Sequence, residues 1–275
     1  MSIIVMAVYS TEENKKDEYL DKTLQSLKDT VDFTKHRLVL SVNGFTPITR
    51  LIFKKYEDII ETIIYNETNL GTAEAINKGW RLRKKGEHAI KIDDDVVIYE
   101  KGWADLMEEC ISVNPRIGQI GLKRPDLIES PDNPNEFYRS ELFKERLMWC
   151  EIELEKCHHI MGTCVMHSDR LLNEVGYLWQ PSLYGLDDAY MSLRSELNGF
   201  INCFIPKIKI EHIDTGATPY QKWKESEAMY YLREDIVSPF NSEKHKISKG
   251  DIISRYMLIV LEYEDGKDVY YNPFL

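Results

Sequence analysis

The sequence predicts an α/β fold with a mainly parallel, doubly wound sheet. Short apolar segments alternate with amphipathic segments of helical length in the order β-α-β-α-β-α-β. Strands that alternate with helices pair in parallel, and ligands of such sheets bind beyond the carboxyl ends of the strands. The fourth apolar strand, residues 89–92, runs directly into Asp93, Asp94 and Asp95. The sequence therefore places a cluster of carboxylates where a ligand is expected.

The N-terminal part of the chain supplies four strands and the helices between them. Apolar, β-branched runs predict strands at residues 3–8, 37–42, 62–65 and 89–92. Asn43-Gly44 is a strong turn signal after the second strand. Helices are predicted over residues 18–31 and around residues 73–80, because each has its apolar side chains on one helical stripe.

The C-terminal part is less regular. Helices are predicted at residues 103–113, 169–175 and 187–197, and strands at residues 117–122, 160–166, 201–205 and 207–211. Ser168 and Gly176 are typical of the start and end of a helix, and Pro206 separates the last two strands. Three prolines between residues 124 and 135 indicate an extended, mobile loop. Residues 256–263 and 268–271 flank an Asp-Gly turn signal and predict a hairpin.

Composition and charge limit the class of protein. Of 275 residues, 43% are hydrophobic and 29% charged, as in ordinary globular proteins. We expect one domain over residues 1–215, with a C-terminal helix and hairpin extension, residues 216–275, packed on it. No apolar run approaches the ~20 residues of a membrane span. Five cysteines without C-x-x-C spacing suit reduced thiols and predict a cytoplasmic protein. The net charge of −11 disfavours binding to nucleic acid chiefly through phosphates.

The aspartate cluster by itself has two interpretations. Adjacent carboxylates repel one another, and a divalent ion such as Mg²⁺ or Mn²⁺ is a natural compensation, because hard oxygen ligands suit these ions. An acidic turn after a strand needs no ligand and is common where a chain turns toward solvent. A calcium loop of the EF-hand type is a poor match, because its acidic residues alternate and a glycine follows them.

Five short motifs follow one another along the chain. They are Asn69-Leu70-Gly71 continued by Ala73, Ala75, Asn77 and Gly79, then Asp93-Asp94-Asp95, then Gly162-Thr163 with residues 173–177, then residues 185–194, and finally Glu211-His212. Each motif is weak alone, but together their order and spacing resemble family 2 glycosyltransferases of the GT-A fold over residues 1–215. Asp187, Tyr190 and Asn43 depart from the family pattern, where a Glu, a second acid and an Asp are usual.

The resemblance implies transfer of one sugar from a nucleotide-diphosphate donor, expected to be UDP-linked, to an acceptor hydroxyl with inversion. It implies a Mn²⁺ or Mg²⁺ ion held by Asp95 and His212, the imidazole favouring Mn²⁺, and Asp188 as the base. The donor-binding residues carried over are Ala7, Tyr9, Asn43, Asn69, Gly71, Asn77, Asp93 and Asp94. The acceptor-side residues are Gly162, Thr163, Trp179 and Asp187. The acceptor stays open: a glycan, another hydroxyl-bearing molecule, or a hydroxylated phage DNA base.

The same residues have other interpretations. Asp187 and Asp188 could merely favour the helix dipole as first-turn acids, and His212 could be a core or surface histidine. A sugar nucleotidyltransferase would need a glycine-rich loop, which residues 7–14 lack. A non-catalytic nucleotide-sugar or glycan-binding module would not need metal ligands and a base together. The joint presence of Asp95, Asp188 and His212 therefore favours an enzyme.

A basic cluster lies near the helix around residues 73–80, and its members are Lys78, Arg81, Arg83, Lys84 and Lys85. A solvated helix face is the ordinary explanation of such a cluster. The alternative is a contact for an anionic acceptor such as DNA, which the acidic net charge disfavours.

Overall fold

The computed structural model describes residues 1–124, 141–180, 183–185, 187–214 and 222, and the backbone of residues 259–262 and 268–271. In chain order the elements are β1 Ser2–Tyr9, α1 Asp17–Thr30, β2 Arg37–Gly44, α2 Pro47–Lys55, β3 Ile60–Tyr65, α3 Gly71–Trp80, β4 His88–Ile92, β5 Val96–Ile98, α4 Trp103–Val113, β6 Ile117–Lys123, β7 Glu141–Arg146, β8 Glu151–Lys156, β9 Cys164–His167, α5 Asp169–Val175, α6 Asp187–Leu197, β10 Ile201–His212, β11 Ile259–Glu262 and β12 Asp268–Tyr271.

The sheet is mixed but mainly parallel, which confirms the predicted fold class. Its strand order within the described part of the chain is β3-β2-β1-β4-β9-β6-β10-β8-β7, with β5 paired to β10. Seven strands run in one direction, and only β5, β8 and β9 run against them. The carboxyl ends of β1, β2, β3 and β4 therefore meet at one edge, as the sequence predicts.

Both faces of the first strand are buried, which explains its continuous apolar sequence. Ile4 and Met6 pack in the larger core cluster with Leu20, Leu24 and other residues of α1. Ile3 and Val5 point the other way and pack with Ala73, Ile76 and Trp80 of α3. Alternate residues of one strand thus serve two cores, because successive side chains leave a strand on opposite faces. This two-sided burial holds the strand ends rigidly at the edge of the sheet.

Several elements differ from the sequence prediction. Pro206 does not divide two strands: β10 continues through it, and the pairing with β6 shifts register between Ile205 and Lys209. A bulge of this kind accommodates proline, which cannot donate a ladder hydrogen bond. The strand expected at residues 160–166 is shorter, Cys164–His167. Helix α2, strand β5 and the hairpin of β7 and β8 are not predicted from the sequence.

The C-terminal hairpin is present as a separate two-stranded antiparallel sheet of β11 and β12. The proline-rich loop expected between residues 124 and 135 lies outside the described residues except at Arg124. The boundary expected at residue 215 stays a prediction. Among the described helices, none has both the length and the apolar character needed to cross a bilayer.

Candidate active site

A cavity of about 280 Å³ opens at the carboxyl edge of the sheet. Its lining comes from β1, β2, the start of α3, the end of β4, the segment before β9, α6 and the end of β10. Most of the site residues predicted from the sequence belong to it: Ala7, Tyr9, Asn43, Asn69, Gly71, Asp93, Asp94, Asp95, Gly162, Thr163, Asp187, Asp188 and His212. The motifs that are scattered along the sequence thus meet at one place. Lys16, Thr72, Lys91, Arg124, Met161 and residues 183–185 also line the cavity.

The three consecutive aspartates have three different surroundings. The backbone N–H of Asp93 donates to the Thr163 carbonyl at 3.0 Å, which ties the end of β4 to the segment before β9. The Oδ2 of buried Asp94 accepts from the Tyr9 N–H at 3.3 Å. Burial raises the pKa of Asp94, and nearby Lys16 opposes that shift. Asp95 is the most deeply buried of the three, with 2% of its surface exposed.

His212 lies beside Asp95 because of the short strand β5. Strands β5 and β10 pair antiparallel with His212 opposite Val96, and the Ile213 N–H donates to the Asp95 carbonyl at 2.9 Å. The imidazole Nε2 of His212 is 3.4 Å from Oδ1 of Asp95. The sequence predicted this pairing from motif order alone, without placing β5.

The pair of Asp95 and His212 has a separation that suits one shared cation. Two ligands that each lie about 2.1 Å from an ion are roughly 3.0–3.4 Å apart at angles near octahedral or tetrahedral. The donor set of one carboxylate and one imidazole suits Mn²⁺ better than Mg²⁺. In the part of the chain that the structure describes, no three His, Cys, Asp or Glu side chains are placed to hold a metal ion together. The described protein groups would therefore supply only part of a coordination shell.

Asp188 lies at the start of α6, where its carboxylate accepts two backbone hydrogen bonds. The Gly162 N–H donates to Oδ2 at 2.9 Å, and the Ala189 N–H donates to Oδ1 at 2.8 Å. The Nε2 of His159 is 3.4 Å from the same Oδ2. Burial alone would raise the pKa of Asp188, but His159, Lys91 and the Gly162 N–H lower it overall. The carboxylate is therefore ionised, oriented and exposed to the cavity.

His159 was not selected from the sequence. Burial alone would lower the pKa of its imidazole, but the charge of Asp188, 3.4 Å away, raises that pKa overall. The histidine is not among the residues that line the cavity, and it contacts the same Asp188 oxygen, Oδ2, that accepts from the Gly162 N–H. No sequence pattern near His159 indicates that it pairs with Asp188, because the two residues come together only through the packing of α6.

Two predicted residues lie outside the lining of the cavity. The side-chain amide of Asn77 bonds the backbone of Leu178 in both directions, donating at 2.8 Å and accepting at 3.1 Å. It therefore anchors the segment after α5. The ring of Trp179 packs edge-on against Tyr190, with ring centroids 5.1 Å apart. Asn77 therefore lies outside the cavity where a donor contact was expected, and Trp179 lies outside it where an acceptor contact was expected.

Asn43 and Gly71 line the cavity but also hold the chain together. Asn43 Oδ1 accepts from Asn66 Nδ2 at 3.0 Å and from the Leu70 N–H at 3.3 Å, while its Nδ2 donates to the Gly71 carbonyl at 3.0 Å. These bonds use both lone pairs of the amide oxygen, so only an N–H remains for a nucleobase. Gly71 has a φ of +78°, and a Cβ there would collide with Gln180 and Leu183.

The basic cluster near α3 does not form a surface at the cavity. Arg83 is fully buried, donates to the Glu87 carbonyl and pairs with Asp169. Arg81 pairs with Glu74 at 2.9 Å, and Lys78 donates to Asn66. Helix α3 begins at the cavity edge and ends at the opposite edge, where most of the cluster lies. An acceptor bound there would be far from Asp188, which weakens the DNA hypothesis.

Comparisons with known proteins identify the family and the fold of the chain. Residues 3–175 match the sequence profile of glycosyl transferase family 2. No individual curated protein matches the sequence significantly. Among solved structures, the mannosyltransferase PcManGT from Pyrobaculum calidifontis, in complex with GDP-Man and Mn²⁺, superposes with a TM-score of 0.58 at 13% identity. That match covers 83% of this chain and 61% of the other.

Two further structures have the same fold at similarly low identity. TarS residues 1–349 from S. aureus with UDP has a TM-score of 0.55 and 17% identity, over 76% of this chain and 59% of that one. GalNAc-T7 with UDP, GalNAc and Mn²⁺ has a TM-score of 0.56 and 14% identity, over 77% of this chain and 43% of that one. The chain thus spans about three fifths of the first two structures. The profile match over residues 3–175 and the shared GT-A fold together show that the chain belongs to glycosyl transferase family 2.

Proposed function

We propose that this protein transfers one sugar from a nucleotide-diphosphate sugar, expected to be UDP-linked, to an acceptor hydroxyl, with a divalent cation and with inversion at the anomeric carbon. The observation that carries the proposal is the convergence of Asp95, His212 and Asp188 on one cavity. A binding module would need a pocket, but it would not need an oriented, ionised base beside a candidate metal site. We therefore favour an enzyme.

Asp95 and His212 are the proposed protein ligands of the cation. Their side-chain atoms are 3.4 Å apart, and Asp95 is buried. Since the described residues offer no third protein ligand, the donor diphosphate would complete the shell. A bound Mn²⁺ ion would act there as a Lewis acid for the departing diphosphate. The Mn²⁺ complexes of PcManGT and GalNAc-T7 support a divalent cation in the proposed reaction, and the imidazole favours Mn²⁺ over Mg²⁺.

Asp188 is the proposed general base. Direct displacement requires removal of the acceptor proton on the face opposite the departing diphosphate. The backbone N–H groups of Gly162 and Ala189 fix the orientation of the carboxylate. Its lowered pKa keeps it ionised, so it can accept a proton. Lys91 and Asp187 lie beneath Asp188 and hold the start of α6 against β4.

The donor nucleotide would lie along the ends of β1 and β2. Tyr9 offers a ring for stacking, and Asn43 keeps an amide N–H for a nucleobase. Asp93, Asn69 and Gly71 line the ribose and diphosphate side. The UDP complexes of TarS and GalNAc-T7 support a uridine donor, while the GDP-Man complex of PcManGT supports including guanosine donors in any test.

The first test is a thermal-shift panel of UDP-, GDP-, TDP- and CDP-sugars, each with Mn²⁺ and with EDTA. Binding to the native state raises the melting temperature by mass action. We expect one nucleotide class to stabilise the protein only with Mn²⁺, and Asp95→Ala to abolish that shift. Release of nucleoside diphosphate from the same donor, measured with and without candidate acceptors, then reports turnover.

Two controls separate the parts of the proposal. Asp188→Asn should keep the donor-induced shift and lose turnover, since its role is chemical. Glu18→Gln, on the exposed face of α1 and outside the cavity, should not change donor choice. The absence of a shift with every donor would contradict a nucleotide-sugar site. A shift without any diphosphate release in the wild-type protein would instead favour a non-catalytic module.

A further inference from the structure

Lys16, which lines the cavity, lies among three carboxylates. Its Nζ is 2.7 Å from Asp95 Oδ2, 3.2 Å from Asp94 Oδ1 and 3.6 Å from Asp214 Oδ2. The lysine side chain is only 6% exposed, and the three carboxylates are similarly buried. A buried charge is stable only when it is paired, so these four side chains form one electrostatic unit.

Hydrogen bonds within the loop before α1 hold Lys16 in this position. Asn14 ties the loop together, because its side chain donates to the Tyr9 carbonyl at 2.9 Å and accepts from the Thr11 and Lys16 N–H groups. Lys15 has a φ of +52°, an uncommon conformation for a residue with a side chain. The chain thus adopts a strained backbone directly before Lys16.

The position of Lys16 also breaks the local preference for a helix start. Lys16 is the N-cap of α1, and its side chain makes no capping hydrogen bond. Ser, Thr, Asp and Asn are preferred at that position, and a cation is unfavourable at the positive end of a helix dipole. A residue that departs from the local preference and contacts a candidate functional cluster is typical of a functional site.

The charges around Lys16 relate it to the proposed cation site. Three carboxylates and one ammonium leave two negative charges, which is the charge that one divalent ion balances. Asp95 uses Oδ2 for Lys16 and presents Oδ1 to His212. The ammonium is therefore separated from the candidate cation position by the width of one carboxylate, where its repulsion acts directly on any bound cation.

We propose that Lys16 sets the divalent-cation affinity of this site. By neutralising one carboxylate, it keeps the binding of metal alone weak, so that firm binding requires the negative charge of the donor diphosphate. This inference rests on the assignment of Asp95 and His212 under the proposed function. Metal and nucleotide would then bind and leave together, and the free protein would stay folded without either.

The test measures binding of Mn²⁺ alone, without nucleotide, from the loss of the free-ion signal in electron paramagnetic resonance. Lys16→Met should lower the dissociation constant for Mn²⁺ at least about tenfold, because a unit charge beside the ion has been removed. Asp214→Asn keeps Lys16 and removes one carboxylate, so it should weaken binding at least about threefold. The double variant Lys16→Met/Asp214→Asn should have an affinity between those of the two single variants.

A second readout is stability in EDTA. Lys16→Met leaves three buried carboxylates without their ammonium, so its melting temperature should fall below that of the wild type and recover with Mn²⁺. The double variant keeps the balance of charge and provides a folded comparison if the single variant does not fold. Equal Mn²⁺ affinity in wild type and the Lys16→Met variant, or in wild type and the Asp214→Asn variant, would overturn the inference.

The outcome is distinguishable from failure of the proposed function. A wild-type protein that binds no nucleotide sugar contradicts the transferase proposal, whereas the titration with Mn²⁺ alone still reports on Lys16. A protein that transfers sugar with Mn²⁺, but whose Lys16→Met variant binds Mn²⁺ as the wild type does, contradicts only the role of Lys16.

Discussion

Lys91 Nζ lies 2.6 Å from Asp187 Oδ2, and both side chains are at least nine-tenths buried. The pair connects the central strand β4 to the first turn of α6, the helix that carries Asp188. Burial would lower the pKa of Lys91, but the charges of Asp187, Asp93 and Asp188 raise it overall, so the ammonium is retained. The ion pair therefore fixes the position of Asp188, the proposed base, relative to the sheet.

Removing only one member of this pair should destabilise the fold. Lys91→Met leaves Asp187 buried without its cation, and such a loss costs about 3–5 kcal/mol of unfolding free energy. Urea denaturation followed by circular dichroism measures it. The double variant Lys91→Met/Asp187→Leu removes both charges and should recover most of the loss. A single variant within about 1 kcal/mol of the wild type would show that the pair is not a structural link.

Lys91 shows how much of the site could be predicted from the sequence. A charged residue inside an otherwise apolar central strand requires a buried partner. The charge of Lys91 within residues 89–92 indicates that a buried partner exists, but it does not identify Asp187 as that partner. Lys16 gave no comparable signal, because its partners Asp94 and Asp95 are distant along the chain and the loop that carries it has no regular pattern.

Elements of the fold could be predicted from the sequence where a local residue pattern determines them. The alternation of apolar strands and amphipathic helices identified β1, β2 and α1, because burial on both faces dictates their residue types. Strand β5 has three residues and exists because β10 pairs with it, a tertiary cause that no local pattern contains. Helix α2 could have been found, since Thr46 and Pro47 form an N-cap followed by proline.

Asp188→Asn should lower turnover by about 10²–10⁴-fold while donor binding is kept. The substitution retains the size of the side chain but removes the basic oxygen, and the hydrogen bond from the Gly162 N–H can still be accepted by an amide. Single-turnover assays and the donor-induced thermal shift together measure the two effects. Asp188→Glu offers a second comparison, because it keeps the charge and displaces it. Turnover within tenfold of wild type in the Asn variant would exclude Asp188 as the base.

Gly71→Ala should cost more stability than an alanine at another glycine with the same backbone. Gly71 and Gly199 have φ values of +78° and +80°, so alanine carries a similar backbone cost of about 1–2 kcal/mol at either position. A Cβ at Gly71 would collide with Gln180 and Leu183, whereas one at Gly199 would meet no described atom within 4 Å. We expect an additional loss of about 1–3 kcal/mol for Gly71→Ala. Equal losses by urea denaturation would contradict the close approach at Gly71.

His159→Gln should change how activity depends on pH. The pKa of His159 is raised above its ordinary value of 6.5 by Asp188, so below that raised pKa the imidazolium pairs with Asp188 and weakens that base. Asp187 and Lys91 also face His159, with opposite effects on its pKa. In the wild type, kcat/KM should rise as the pH passes through the raised pKa of His159. The Gln variant should lack this rise, because no proton leaves a neighbour of Asp188.

The stability of the same variant checks the ion pair independently of catalysis. The raised pKa of His159 means that its stabilising contribution is complete below pH 6.5 and is lost as pH rises through the folded value. The lowered pKa of Asp188 means that its contribution is present above pH 3.8 and is lost as pH falls through the folded value. His159→Gln should therefore destabilise the protein between about pH 4 and 6.5, and the effect should shrink as the pH rises through the raised pKa of His159. His158→Gln is the matched control, since His158 pairs with exposed Glu196, and it should leave both profiles unchanged.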